Sequence, residues 1–382
     1  MHQPDIRTKP RPHRASFTLV ELLVALSVAA MLSAMTLTAM WSARQAAAEA
    51  RTRSIVTKVN ELLLMQWSEV ESRRLAYVVT PIVATRQRLF YLRQMMRLEF
   101  PDRKSALLAP VAASQRTARY RGYLRTLAQV YNLPSTTSEN AIINRVILQG
   151  DLWTPQLQHA ECLFLILAST RIDDGNALDY FSDTEVGDTD GDGMREILDA
   201  WGNPIFYLRW APGYVSEMGV PEATQTADGK VAPDGFDPLH VDVRWPDPAI
   251  SQYFIRPYQL YPLVISAGRD GAFDIIFDFD NVVDTAGNRG APVIYGAEQA
   301  NPGNSLTANN PYVMRCRANM SNSVPADDCG MSTNSSILAN YSKIFMIGMP
   351  WDTDSSHFLG DPESPLIDNF EDNISNQQAQ VN

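Results

Sequence analysis

Histidine and cysteine are scarce in this chain of 382 residues, at five and three respectively. His2 and His13 lie in the first sixteen residues, and His159, His240 and His357 stand without a nucleophile pattern beside them. No CxxC pair and no Cys/His cluster has the spacing of a zinc or redox centre. A P-loop, a Gly-rich dinucleotide turn and a serine elbow are also missing. Asp-rich loops are present and could seed a two-metal hydrolase, but useful His ligands are not there. These absences argue against an enzyme. Two local absences say more. No residue from Leu22 to Trp41 is charged, and no proline occurs from Phe17 to Thr80. Twenty uncharged residues in a helix cross about 30 Å of hydrocarbon. The carboxylate of Glu21 stands one residue before that run. A charge in a spanning helix costs roughly 2.5–3.5 kcal/mol, so it usually has a partner.

What precedes the apolar run is basic. Arg7, Lys9, Arg11 and Arg14 face one acid, Asp5, and Pro4, Pro10 and Pro12 disfavour a helix. A basic flank stays cytoplasmic, which places the chain beyond the apolar run outside the cytoplasm. A secretory signal has an apolar core of about 7–15 residues and a cleavage site after it. Here the run is longer, and the natural processing point lies before it, between Ser16 and Phe17.

The string Ser16-Phe17-Thr18-Leu19-Val20-Glu21-Leu22-Leu23-Val24-Ala25-Leu26 resembles the signal of type IV pilins and type II secretion pseudopilins. The resemblance implies that a prepilin peptidase cuts after Ser16, where the family usually has Gly, and that Phe17 becomes the N-methylated first residue. Glu21 would then be the fifth residue, neutralising the N-terminal amine of a neighbouring subunit. Such a charge-assisted contact gains strength in a low dielectric. The plainer alternative is a signal anchor with a stray Glu at the interface.

The formal net charge is −11, and loss of the leader would make it −14, which does not favour wholesale nucleic-acid binding. The charge is uneven. Ten Lys/Arg and two acids lie between Arg86 and Arg125, whereas Asp173 to Asp284 holds 22 acids and six bases. This reads as a solvated basic helical face beside a calcium-loading acidic lobe, or as complementary surfaces between subunits. Cys162 heads the apolar run Cys162–Leu167 and reads as a small buried hydrophobe. Cys316 and Cys329 sit in an Asn/Ser-rich region outside the cytoplasm, where a disulfide between them is permitted.

The expected fold is α+β. A leader (1–16) precedes a transmembrane and spine helix (17–80), about 96 Å long if continuous. Its second half carries Ile55, Val59, Leu62, Leu63, Trp67 and Val70 at helical spacing, and Pro81 is a reasonable stop. A helical insertion (81–172) is broken at Pro101, Pro110, Pro134 and Gly150, its last helix beginning near Thr154-Pro155. An antiparallel sheet lobe (173–350) follows, with candidate strands at 204–210, 240–245, 261–266, 273–279, 293–295 and 343–347. The tail (351–382), rich in Asp, Asn, Ser and Gln, reads as flexible.

Asp188-Thr189-Asp190-Gly191-Asp192-Gly193-Met194-Arg195-Glu196-Ile197-Leu198-Asp199 has the ligand spacing of an EF-hand calcium loop. The ligand set is Asp188, Asp190, Asp192, the main chain at Met194, Glu196 and Asp199, with Gly193 at the sharp turn and Ca2+ as the cofactor. The other reading is a solvated acidic turn. Asp199-Ala200-Trp201-Gly202-Asn203-Pro204 is similar to a segment of the major pseudopilins, with Trp201 as a core anchor. Ser266-Ala267-Gly268-Arg269-Asp270-Gly271 resembles a second segment of theirs, which precedes a calcium-binding turn. That resemblance makes Asp270 and Asp274 secondary calcium candidates; turn chemistry alone is the alternative.

The sequence thus points to a single-pass inner-membrane subunit, N-terminus cytoplasmic and lobe periplasmic, assembling into a type II secretion pseudopilus or related filament. Its partners would be homologous pilin-like subunits, the prepilin peptidase and the membrane assembly platform. A pilus adhesin or DNA-uptake pilin, using the basic block, is the alternative, with a membrane-anchored metal-dependent enzyme third.

Overall fold

The computed structural model describes residues 18–73, 81–107, 116–149, 152–172, 175–211, 213–214, 234–241, 259–273, 275, 277, 314–316, 344–346, 348 and 373–377. It divides into two compact units, residues 1–48 and residues 49–382. Helix α1 (Leu19–Glu71) belongs to both. Thr18 and Glu21 start it as a capping box: the Thr18 amide donates to Glu21 Oε2 at 2.9 Å and the Glu21 amide donates to Thr18 Oγ1 at 3.2 Å. Two orphan donors of the first turn are satisfied this way.

Along the first unit α1 is apolar on every side and exposed, Leu19 and Met35 at 80% and 68%. It is long and apolar enough to cross a membrane. Beyond residue 48 the pattern becomes one-sided. Ile55, Val56, Val59, Leu63, Trp67 and Val70 are buried and Leu62 is partly so, as the threes-and-fours spacing requires. The helix ends at Glu71, nine residues short of the expected Thr80, so its 53 residues span about 80 Å. Pro81 is not a stop. It is the first residue of α2 (Pro81–Glu99), where a missing N–H costs nothing.

The helical block continues with α3 (Lys104–Leu107), α4 (Ala118–Val130), and α5 (Glu139–Ile142) running into a π-helical turn at Ile143–Leu148. Helix α6 (Gln158–Ser169) begins after the expected Thr154-Pro155, because those residues are held by the acidic loop described below. Thr117 and Ser138 cap α4 and α5 by accepting from Tyr120 and Ala141 amides, which explains where those helices begin.

Strands are short. β1 (Arg171–Ile172) pairs with β2 (Gly175–Asn176), and β3 (Val186–Gly187) with β4 (Glu196–Ile197), both antiparallel. A three-stranded antiparallel sheet has the order β5 (Phe206–Leu208), β6 (Leu263–Ser266), β9 (Ile374–Ser375). β7 (Met314–Cys316) pairs with β8 (Ile344–Met346). The expected strands at 204–210, 261–266 and 343–347 correspond to β5, β6 and β8. His240 and Val241 are not in a strand, and His240 has φ 52°. Residues 242–245 and 293–295 lie outside the described residues, as do most of 274–279.

Part of the expected flexible tail is corrected: residues 373–377 are described, and the rest of 351–382 lies outside the described residues. Asn373–Gln377 is buried and completes the central sheet. Tyr214 Oη donates to Ser375 Oγ at 2.9 Å, and Asn376 Nδ2 to Asn60 Oδ1 of α1 at 2.8 Å. Polar composition suggested flexibility; here the polar side chains serve as buried hydrogen-bond partners.

One core runs through α1, α4, α6, β5 and β6, including Tyr123, Leu163, Leu165, Tyr207 and Val264. Cys162 is buried and free within it. Cys316 lies in β7, but Cys329 is outside the described residues, so the expected bridge falls outside them too. Much of the basic block is also internal, against the expectation of a solvated face. Arg93, Arg97, Arg103 and Lys104 are all buried. Arg93 meets Asp234 at 3.1 Å, and Arg73 and Arg119 converge on Glu99 at 2.7 and 3.3 Å. Arg209, fully buried, lies 3.4 Å from Asp102 and donates to the Phe100 carbonyl at 2.9 Å. Cations needed internally are unavailable to an outside ligand.

Candidate functional site

The acidic loop is the connection of the β3–β4 hairpin, so strands flank it, not helices. Asp188 organises its first half, with Oδ1 accepting from the Gly191 amide at 2.7 Å and Oδ2 from the Gly193 amide at 3.1 Å. Asp190 and Asp192 each accept from the amide two residues on. These Asx turns close the loop, and Gly193, at φ 97°, stands where a side chain would be strained. The second half is clamped to the helical block. The Thr154 amide donates to Asp192 Oδ2 at 2.6 Å, and Thr154 Oγ1 to Asp190 Oδ2 at 2.7 Å.

Two sets of three carboxylates result: Asp188, Asp190 and Glu196, and Asp190, Asp192 and Glu161 of α6. Within each, one oxygen per residue lies within 4.8 Å of the others. That is twice a calcium–oxygen distance of about 2.4 Å, so either set can surround one hard cation. Glu161 and Glu196 are fully buried, and Glu161 Oε1 and Glu196 Oε1 have no hydrogen-bond partner among the described residues. Burial pushes the Glu161 carboxyl up to about 9, against the Trp153 indole hydrogen bond and with the help of Asp192 and Asp190. Burial likewise pushes Glu196 up to about 7. Buried acid, crowded by acid and with one oxygen of each without a donor among the described residues, fits a cation.

The expected ligand set is only partly assembled. Asp188, Asp190 and Glu196 come together, Asp192 joins Asp190 in the second set, and Met194 is buried at the loop's end. Asp199 turns away. Its Oδ1 accepts from the Trp201 and Asn203 amides at 2.8 and 2.9 Å, and its Oδ2 from Ser266 Oγ at 2.7 Å. The twelfth residue is a turn-builder because strand β4 has already carried the chain past the loop. Glu161, absent from the expected set, takes a place beside Asp190 and Asp192.

Asp199 joins segments 199–204 and 266–271. Besides its bond to Ser266, Asn203 Nδ2 donates to the Gly268 carbonyl at 2.8 Å. Gly202, at φ 92°, permits the turn between them. Trp201 is at the edge of the core, partly buried, not its anchor. Asp270 is exposed and caps its own turn by accepting from the Ala272 amide at 2.9 Å. Asp274 lies outside the described residues, as do Ser16 and Phe17.

In the first unit, an exposed apolar helix long enough to cross a membrane opens on a carboxylate-capped first turn. Residues 11–37 match a known family, the prokaryotic N-terminal methylation motif, which is a type IV pilin-like signal. No curated protein and no solved structure matches the chain.

Proposed function

We propose that this chain is a structural subunit of a type II secretion pseudopilus or a closely related filament, and that it turns over no substrate. The observation that carries the reading is the continuity of α1. The methylation motif opens a helix that is apolar and exposed for its first half and packed into a folded lobe for its second. One rod thus joins a segment able to reside in lipid, or in a filament core, to a lobe outside the membrane. In this reading the N-terminus lies in the cytoplasm and the lobe in the periplasm, which the basic residues before the helix support. The pseudopilin assignment is supported by the hydrogen bonds joining the two pseudopilin-like segments, Asp199–Ser266 and Asn203–Gly268.

Glu21 is the assembly residue in this reading. Thr18 uses Oε2 of its carboxylate, leaving Oε1 to accept from the amine of Phe17 on the neighbouring subunit. Prepilin peptidase would produce that amine, and homologous subunits and the assembly platform would be the partners. The acidic hairpin loop, with Asp188, Asp190, Asp192 and Glu196, is the Ca2+ site; Asp270 with Asp274 is a secondary candidate. The DNA-uptake alternative loses ground because so many cations of the basic block are buried.

The test is co-assembly. Full-length Glu21→Ala, expressed with the secretion or pilus genes beside its own, should insert in the membrane at wild-type levels. It should recover at least tenfold less of its partner subunits after crosslinking and affinity isolation. Unchanged recovery would remove Glu21 from assembly.

A further inference from the structure

We propose that Glu161 of α6 is a ligand of the divalent cation taken by the acidic hairpin loop, so that the ion ties the loop to the core helix. The inference rests on the loop being a cation site and adds the residue that makes it a cross-link between two elements. Glu161 lies 27 residues before Asp188, outside the loop, yet its carboxylate shares one ion-sized space with Asp190 and Asp192.

Three observations meet there. The Glu161 carboxylate is fully buried, and Oε2 accepts from the indole of Trp153, which fixes its orientation. Oε1 has no hydrogen-bond partner among the described residues, although buried polar oxygens normally have one. The carboxylates of Asp190 and Asp192 each bring an oxygen within 4.8 Å of it, and these repel it unless a cation stands between them. Glu196, in the set with Asp188 and Asp190, repeats the pattern, its Oε2 held by the Thr189 amide and its Oε1 without a hydrogen-bond partner among the described residues. All donors are oxygens, which selects a hard ion. Carboxylates from a helix and a hairpin loop suit the larger, irregular shell of Ca2+ better than the strict octahedron of Mg2+. Asp199 is excluded from that shell by its three hydrogen bonds elsewhere. Glu161 therefore does the work that the loop spacing assigns to the twelfth residue.

Terbium is the probe, because Trp153 touches a proposed ligand and can sensitise its emission. The full-length chain in detergent, stripped with EDTA, is titrated with Tb3+ under tryptophan excitation and then with competing Ca2+. Sensitised emission, displaced by Ca2+, is expected from the wild type. Glu161→Gln retains an acceptor for the indole and should bind at least tenfold more weakly, while melting no lower than wild type in EDTA. Asp199→Asn should bind within twofold of wild type. Trp153→Phe, compared with wild type at saturating Tb3+, should lose most of the emission, which places the ion beside the indole. Equal affinity in Glu161→Gln, or full emission from Trp153→Phe, overturns the assignment of Glu161 and leaves the loop reading standing. Absence of Tb3+ and Ca2+ binding in the wild type overturns both. Neither result bears on filament assembly, which the Glu21 experiment reads separately.

Discussion

Single charged residues decide much of this molecule. Asp102 is buried with Arg209 3.4 Å away. Burial pushes its carboxyl up, but the Arg209 and Arg103 guanidiniums outweigh that and hold it below the usual carboxylate range. Asp102→Asn removes the carboxylate that faces the buried Arg209 and Arg103 guanidiniums, and should destabilise the folded lobe by about 3–5 kcal/mol in a denaturant titration. The sign with pH follows. A depressed folded pKa contributes stability above the unfolded value of about 4, which is lost as pH falls through the folded value. The variant should therefore show a flatter acid limb between about pH 5 and pH 2 than the wild type. A parallel loss of stability in both would contradict the role given to Asp102.

Among the elements, α1 and β9 carry the sharpest expectations. Leu63 is fully buried in the shared core, so Leu63→Ala should cost about 2.7–5 kcal/mol. Leu26→Ala, on the exposed half of the same helix, should leave the melting of the lobe unchanged. Truncation before Asn373 removes β9 and the partners of Tyr214, Asn60 and Val264, and should lower the melting temperature or abolish folding. A tail without a structural role would be dispensable.

The difference in how readable these elements were is physical. The buried stripe of α1 follows from a 3.6-residue repeat that any globular lobe must bury. β9 is two residues long, with Asn, Ser and Gln around it, and its pairing is set by side-chain hydrogen bonds that leave no periodic trace. The loop carboxylates were legible because their spacing is local. Glu161 was not, because tertiary contact brings it there. Its one signal was a carboxylate heading an apolar run, Cys162–Leu167, just as Glu21 heads the membrane segment. Asp199 had the right spacing, but the turn that begins there claimed its side chain.

Across the whole molecule, the chain joins an exposed apolar rod to a lobe in which helical block and sheet share one core. The methylation motif matches residues 11–37, which reach into the first half of α1, and the proposed function depends on processing there. Mass spectrometry of the N-terminal peptide of the membrane-inserted protein, expressed with its prepilin peptidase, tests this most directly. The account predicts a mature chain beginning at N-methylated Phe17. A chain that retains Met1–Ser16 in the presence of active peptidase, or one cut on the far side of the apolar run beyond Trp41, would contradict it.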